Sequence, residues 1–170
     1  MATNEKAGPP SNRFQPLDID VPDKIYVCTL RKRNAPSIEF NVHLKQGDKI
    51  VATRALLDSG ATGNIINRTF ARKHGLQETR LAQPIHIVSV NNTTDSVTTY
   101  IEAEALISTP HGSHQENNRF YVGNIGDHDI ILGTDWLVEH NPTIDWTSYK
   151  VDLNRCPTSC TTKGTTKFQE

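Results

Sequence analysis

Between Lys24 and Leu153 the chain is built mostly from short stretches in which apolar and polar residues alternate. The clearest is "SIEFNVHLK", where Ile38, Phe40, Val42 and Leu44 fall on one face and polar residues on the other, the period of a half-buried strand. A turn, "QGDK", leads into "IVATRALLD", so a hairpin delivers Asp58 to the end of its second strand. "PIHIVSV" and "VTTYIEAEALI" read as two further strands around the polar stretch "NNTTDS", whose Asn-Asn pair favours a turn. "STPHGSHQENN" reads as a looser loop leading to a short strand, "RFYV". "DIILG" is a continuous apolar run of the kind buried on both faces, and "TIDW" with "YKVDL" forms a final hairpin.

Two short segments have helical signals instead. "NRTFARKHGL" has Asn67 as N-cap, Lys73 and His74 in the last turn, and Gly75 just past the end. "TDWLVEHN" has Thr134 as N-cap and stops at Asn141-Pro142. Many short strands with one or two short helices predict a mainly β, closed barrel-like domain. The expected organisation is a flexible N-terminal segment over 1–23, the domain over 24–153, and a polar C-terminal tail or linker over 154–170.

Composition narrows the function classes. A length of 170 residues suits one domain with tails, and a formal charge of −1 gives no footprint for nucleic acid or an anionic membrane. Arg31-Lys32-Arg33 is the one basic run, and a solvated loop explains it. No apolar run approaches the ~20 residues of a membrane span, and the N-terminus has no apolar signal segment. Three cysteines, Cys28, Cys156 and Cys160, are too few and scattered for a disulfide framework, so an intracellular, cytoplasmic setting is expected.

Asp58 is the residue that calls for an explanation, because an ionised carboxylate is costly to bury at the end of a Leu-rich strand. Asp-Ser-Gly is also ordinary turn chemistry, so the triplet alone does not decide. A carboxylate that activates water against a peptide bond needs a second carboxylate beside it, the two sharing one proton. In that arrangement the Ser59 hydroxyl ties neighbouring loops, Gly60 admits close backbone approach, and Ala61 is small enough for a crowded junction. The 170 residues hold no second Asp-[Ser/Thr]-Gly, so a dyad built from this motif requires two chains related by a two-fold axis.

The strand "RALLDSGAT", followed by "HQENNRFYVGNI" and "DIILGTDWLVEHNPTIDW", resembles the retropepsins, the dimeric aspartic proteases of retroviruses and LTR retrotransposons, and most closely those of gypsy-class elements. The similarity spans about residues 36–153. It implies a closed acid-protease fold with one half-cleft per chain, a homodimer as the active form, and an extended peptide or polyprotein as substrate, processed in the cytoplasm or within virus-like particles. It places Asp58 in the catalytic role with Ser59, Gly60 and Ala61 supporting its loop, and Ile131, Leu132 and Gly133 packed beside it. An aspartic peptidase of this kind calls for neither cofactor nor metal, and the net charge and apolar pattern lead to no nucleic-acid or membrane partner for this domain. "VNNTTDSVTTY" takes the place of the flap, although it lacks the glycines frequent there, and Ser59 stands where many relatives have Thr. The alternative is a catalytically weak retropepsin-like module kept for dimerisation or peptide binding.

Other conspicuous residues have plainer readings. Cys156-Pro-Thr-Ser-Cys160 with His111 and His114 could be a zinc site, and Cys-x2–4-Cys spacing does occur in such sites. No order of Cys and His here matches a known finger, and the pair falls in the polar C-terminal segment, so a passive linker, or a region next to a removed polyprotein partner, is the preferred reading. Trp136 and Trp146 are expected to pack the last helix and hairpin onto the barrel, and His86 to lie on an exposed strand face.

Overall fold

A computed structural model of the chain describes residues 23–27, 36–89, 92–110 and 112–163. The expected flexible segment before Asp23, Cys28, the Arg31-Lys32-Arg33 run, Asn91, His111 and the last seven residues lie outside the described residues. Strands β2 (Glu39–Gln46) and β3 (Lys49–Leu57) form the expected hairpin. Gln46 faces Lys49, and Gly47 turns the chain at φ +60°, a conformation that costs glycine little. Ile38, Phe40, Val42 and Leu44 are all buried, so the alternation is realised in full.

Strand β4 (Ile65–Asn67) runs directly into α1 (Arg68–Lys73). The Asn67 side-chain oxygen accepts from the N–H groups of Thr69 and Phe70 at 2.9 and 3.4 Å, Arg72 and Lys73 occupy the last turn, and Gly75 leaves at φ +59°. Both helix ends are therefore satisfied by the residues that predicted them.

Strands β5 (Thr79–Ser89) and β6 (Thr94–Thr109) form a long hairpin, and β7 (Gly112–Gly123) returns along the other edge of β6. Strand β8 (Ile130–Leu132) lies between β3, to which it is parallel, and β4. The ring β6-β2-β3-β8-β4-β7 closes because β7 pairs back onto β6. The result is a mainly β fold: a closed six-strand barrel with short helices. Strand β1 (Lys24–Val27) joins the outside as a parallel neighbour of β5. No helix among the described residues is long and apolar enough to cross a membrane.

Helix α2 (Thr134–His140) follows β8 and packs Trp136, fully buried, beside Phe40. Burying side chains of this size stabilises by about 1.5–3 kcal/mol each. Asn141 ends the helix in the left-handed region, with Pro142 next. The small sheet of β9 (Thr143–Asp145) and β10 (Lys150–Asp152) is the expected last hairpin.

Four expectations need correction. Most of the "STPHGSHQENN" segment is strand, with Ser108 and Thr109 ending β6 and residues 112–118 opening β7, and hydropathy hides it because the inward positions hold His114 and Glu116 instead of hydrophobic residues. Gly133 is the N-cap of α2, while the Thr134 hydroxyl bonds elsewhere. Trp146 is 63% exposed in the turn between β9 and β10 and does not join the core. Part of the polar C-terminal segment is ordered onto the barrel: β11 (Thr161–Lys163) pairs with β7.

Candidate active site

The register of β3 and β8 places Asp58. Ala55, Leu56 and Leu57 face Ile130, Ile131 and Leu132 in a parallel ladder, and the Asp58 N–H donates to the Leu132 carbonyl at 3.0 Å. The chain then turns: Asp58 Oδ1 accepts the Gly60 N–H at 2.9 Å, and the Asp58 carbonyl accepts the Ala61 N–H at 3.2 Å. Asp58 and Gly60 are half-buried, Ser59 is exposed, and Ala61 is fully buried. The carboxylate thus sits at the rim of the barrel, held by its own loop.

Three elements grip that loop. From β1, the Tyr26 carbonyl accepts the Thr62 N–H at 3.0 Å while the Tyr26 N–H donates to the Thr62 hydroxyl at 3.1 Å. From the junction of β8 and α2, Gly133 comes so close that an added Cβ would lie 2.5 Å from the Gly63 carbonyl oxygen and 2.7 Å from that of Ala61. From α2, the Ala61 carbonyl accepts both the N–H and the hydroxyl of Thr134, at 2.7 and 2.9 Å. Ile131 and Leu132 are buried beside the loop, so the structure brings Asp58, Ser59, Gly60 and Ala61 together with Ile131, Leu132 and Gly133.

Two supporting residues escape a sequence reading. Asn64 is buried, and its side-chain oxygen accepts the Gly133 N–H at 3.2 Å, a link across the fold that no local pattern announces. Asp135 opens α2 with its N–H donating to the Thr62 carbonyl at 3.1 Å, and partial burial pushes its carboxyl pKa up. Its place directly after the β8 run is the signal that could have drawn attention to it.

The β5–β6 hairpin carries the stretch that the resemblance gives as the flap. Its Ile85, Ile87 and Val97 pack with Ala61, Ile65 and Ile131, so the hairpin rests on the apolar support of the Asp58 loop. Near its tip, Asp95 pairs with Arg68 at 2.9 Å and accepts the Asn124 N–H at 2.9 Å. His86 is exposed on this hairpin, as its strand face predicts.

A second cluster lies elsewhere on the barrel, of which the sequence points only to His114, Cys156 and Cys160. His114 and Glu116 of β7 and His140 of α2 are buried, with Cys156 and Cys160 half-buried against them. Burial pushes the Glu116 carboxyl up, yet hydrogen bonds from His114, His140 and Trp136 and the charge of His140 prevail and hold it at about 2. Burial likewise pulls His140 down, and Glu116 reverses this to a raised value. Burial and then the Glu116 charge push the Cys160 thiol up.

A closed six-strand barrel, with an Asp-Ser-Gly loop clasped between its β3 and β8 strands and a short helix after β8, is a retropepsin-like protease fold. The chain belongs to the PEG10/RTL1 protease domain family, whose sequence profile matches residues 54–160, more than half of the chain and inclusive of Asp58. Among solved structures it is similar to the retroviral protease-like domain of Ddi1 from Leishmania major, at 19% identity over 71% of this chain and 90% of that one, with a TM-score of 0.49.

Proposed function

We propose that this chain is an aspartic endopeptidase that works as a homodimer, with one Asp58 from each protomer activating water, and that it processes the polyprotein of a gypsy-class LTR retrotransposon. The observation that carries this reading is the single Asp58 carboxylate, presented at the barrel rim by a loop that three elements immobilise. One such carboxylate per chain is half of a dyad. Across a two-fold axis, the ionised member takes a proton from water as the water attacks the scissile carbonyl carbon. The protonated member donates to the carbonyl oxygen; on collapse, the proton taken from water passes to the leaving nitrogen, a hydroxyl of the tetrahedral intermediate returns its proton to the ionised carboxylate, and acid and amine depart. The β5–β6 hairpin would close over an extended peptide and pair with its backbone, which binds without strong side-chain selection.

Cleavage of peptides at mildly acid pH, with and without pepstatin, tests the reading. The wild-type chain is expected to cut and to be inhibited, and Asp58→Asn to be inactive while remaining folded. Cleavage that survives Asp58→Asn would exclude the dyad. One observation favours the second reading, a dimerisation or peptide-binding module: the flap hairpin has no glycine in "VNNTTDSVTTY" and is tethered through Asp95. A folded, dimeric wild type that binds peptides without cutting them would support that module.

A further inference from the structure

Strand β7, the end of α2 and the segment before β11 converge on five side chains that offer nitrogen, sulfur and oxygen ligands. His114, Glu116 and His140 are 0%, 6% and 1% exposed, so each was desolvated in folding and needs partners. His114, Glu116, His140 and Cys160 each bring one ligand atom within 4.8 Å of all the others. Cys156 Sγ lies 3.4 Å from His114 Nδ1, and Cys160 Sγ lies 3.5 Å from His140 Nε2. Ligand atoms around a tetrahedral zinc ion, with bonds of about 2.0 Å to nitrogen and 2.3 Å to sulfur, stand roughly 3.5 Å apart.

The outer contacts fix which nitrogen of each ring faces a thiol. His140 Nδ1 is 2.9 Å from the Trp136 carbonyl, which can only accept, so Nδ1 carries a proton, while Nε2 faces Cys160 and donates to Glu116 until a metal ion takes the place of that second proton. His114 Nε2 is 3.2 Å from Glu116 Oε2, and donation to that carboxylate leaves the Nδ1 lone pair facing Cys156. Glu116 is held in turn, its Oε1 accepting from Trp136 Nε1 at 2.9 Å and Asn118 Nδ2 at 3.1 Å. An imidazole oriented by a carboxylate or a backbone carbonyl on its far nitrogen is the usual outer shell of a metal-binding histidine. The two thiols approach from a Cys-x3-Cys turn closed by the Cys160 N–H on the Pro157 carbonyl at 3.1 Å.

We propose that His114, His140, Cys156 and Cys160 bind one zinc ion per chain, with Glu116 orienting His114 beside it. Thiolate and imidazole ligands together select zinc among the common divalent ions, and four protein ligands make a closed, structural site with no position for substrate. On binding, the cation takes the thiol protons' place and balances the two thiolates it coordinates. It also fastens the C-terminal segment to β7 and to the last residue of α2, the helix whose first residue holds the Asp58 loop.

The full chain, produced with zinc in the medium and purified under reducing conditions without chelator, is expected to carry about one zinc by elemental mass spectrometry. Replacement by cobalt should give intense visible bands of a tetrahedral centre and a thiolate-to-cobalt charge-transfer band. Cys156→Ser and Cys160→Ser should each weaken metal retention at least about 100-fold, and Glu116→Gln about 10–100-fold. Should those variants fail to fold, the cobalt spectrum of the wild type and a lowered melting temperature in strong chelator still test the site. Zinc that washes out, a cobalt spectrum without thiolate bands, a Cys156–Cys160 disulfide in the purified chain, or a melting temperature unmoved by chelator would each overturn the proposal. Zinc lost by Glu116→Gln but kept by Cys156→Ser would overturn the ligand assignment. None of these readouts depends on peptide cleavage, so this site and the peptidase reading stand or fall separately.

Discussion

Thr134 donates twice to one acceptor: its N–H and its hydroxyl reach the Ala61 carbonyl at 2.7 and 2.9 Å. The start of α2 is thereby tied to the loop that presents Asp58. Thr134→Val keeps the shape of the side chain and the N–H bond but removes the hydroxyl donor. Ala61 retains one partner, so the expected loss is about 1 kcal/mol, read as a shift of the urea midpoint without a change of slope. If the tie also positions Asp58, peptide turnover should fall by more than the stability loss accounts for.

Gly133→Ala should be worse. The backbone at Gly133 has an ordinary negative φ, so space alone decides the outcome. The new methyl would press on two backbone carbonyls, those of Gly63 and Ala61, and neither can swing away as a side chain could. Overpacking of this kind costs about 1–3 kcal/mol, and the displacement falls on the Asp58 loop itself. Denaturation should show the loss, and a variant as stable as wild type would mean that the loop and β8 can separate without penalty.

The contrast between β2 and β7 shows what was legible in the sequence. In β2 every inward position is apolar, so alternation exposes both the strand and its buried face. In β7 the same period persists, but the inward series runs His114, Glu116, Asn118, Phe120 and Val122, and its first three members are polar. Hydropathy therefore reveals only the last part of that strand. The polar half is buried because its members satisfy one another and Trp136, a tertiary fact with no local signature. The same blindness sends Cys156 and Cys160 to a tail: a short polar segment looks like a linker until the histidines it packs against are known. The Asp58 loop was readable because its requirements are local, namely a strand end, a small residue and a glycine. The clasp of Asn64 on Gly133 was not, since its partners are 69 residues apart.

The turn between β9 and β10 carries a pH prediction. Asp145 is exposed, and its carboxylate accepts from the Thr147 hydroxyl at 2.6 Å, the Ser148 hydroxyl at 2.7 Å and the Thr147 N–H at 2.9 Å. The Thr147 and Ser148 hydroxyls, then the Thr147 N–H, hold its carboxyl well below the ordinary value of 3.8. A depressed folded value means that the unfolded chain takes up this proton first as the pH falls. The stabilisation is therefore complete above the ordinary carboxylate range and is lost as the pH drops through it toward the folded value. Asp145→Asn should melt below wild type near neutral pH, with the gap closing below about pH 4. A gap that stays constant across that window would show that the charge of Asp145 contributes nothing to the turn.

Mixing separates a shared site from a self-sufficient one. If each cleft needs one Asp58 from each chain, wild-type and Asp58→Asn chains refolded together in equal amounts pair at random. Only about one dimer in four then holds two carboxylates, so activity should fall to about one-quarter of that of the same total amount of wild type. A chain that cuts alone would give about one-half. The curve over several mixing ratios should follow the square of the wild-type fraction, and a melt of the Asp58→Asn protein alone confirms that the diluent is folded. Squared dependence requires that the acid of one protomer be useless without its counterpart; linear dependence would place the whole chemistry within a single barrel and remove the homodimer from the mechanism.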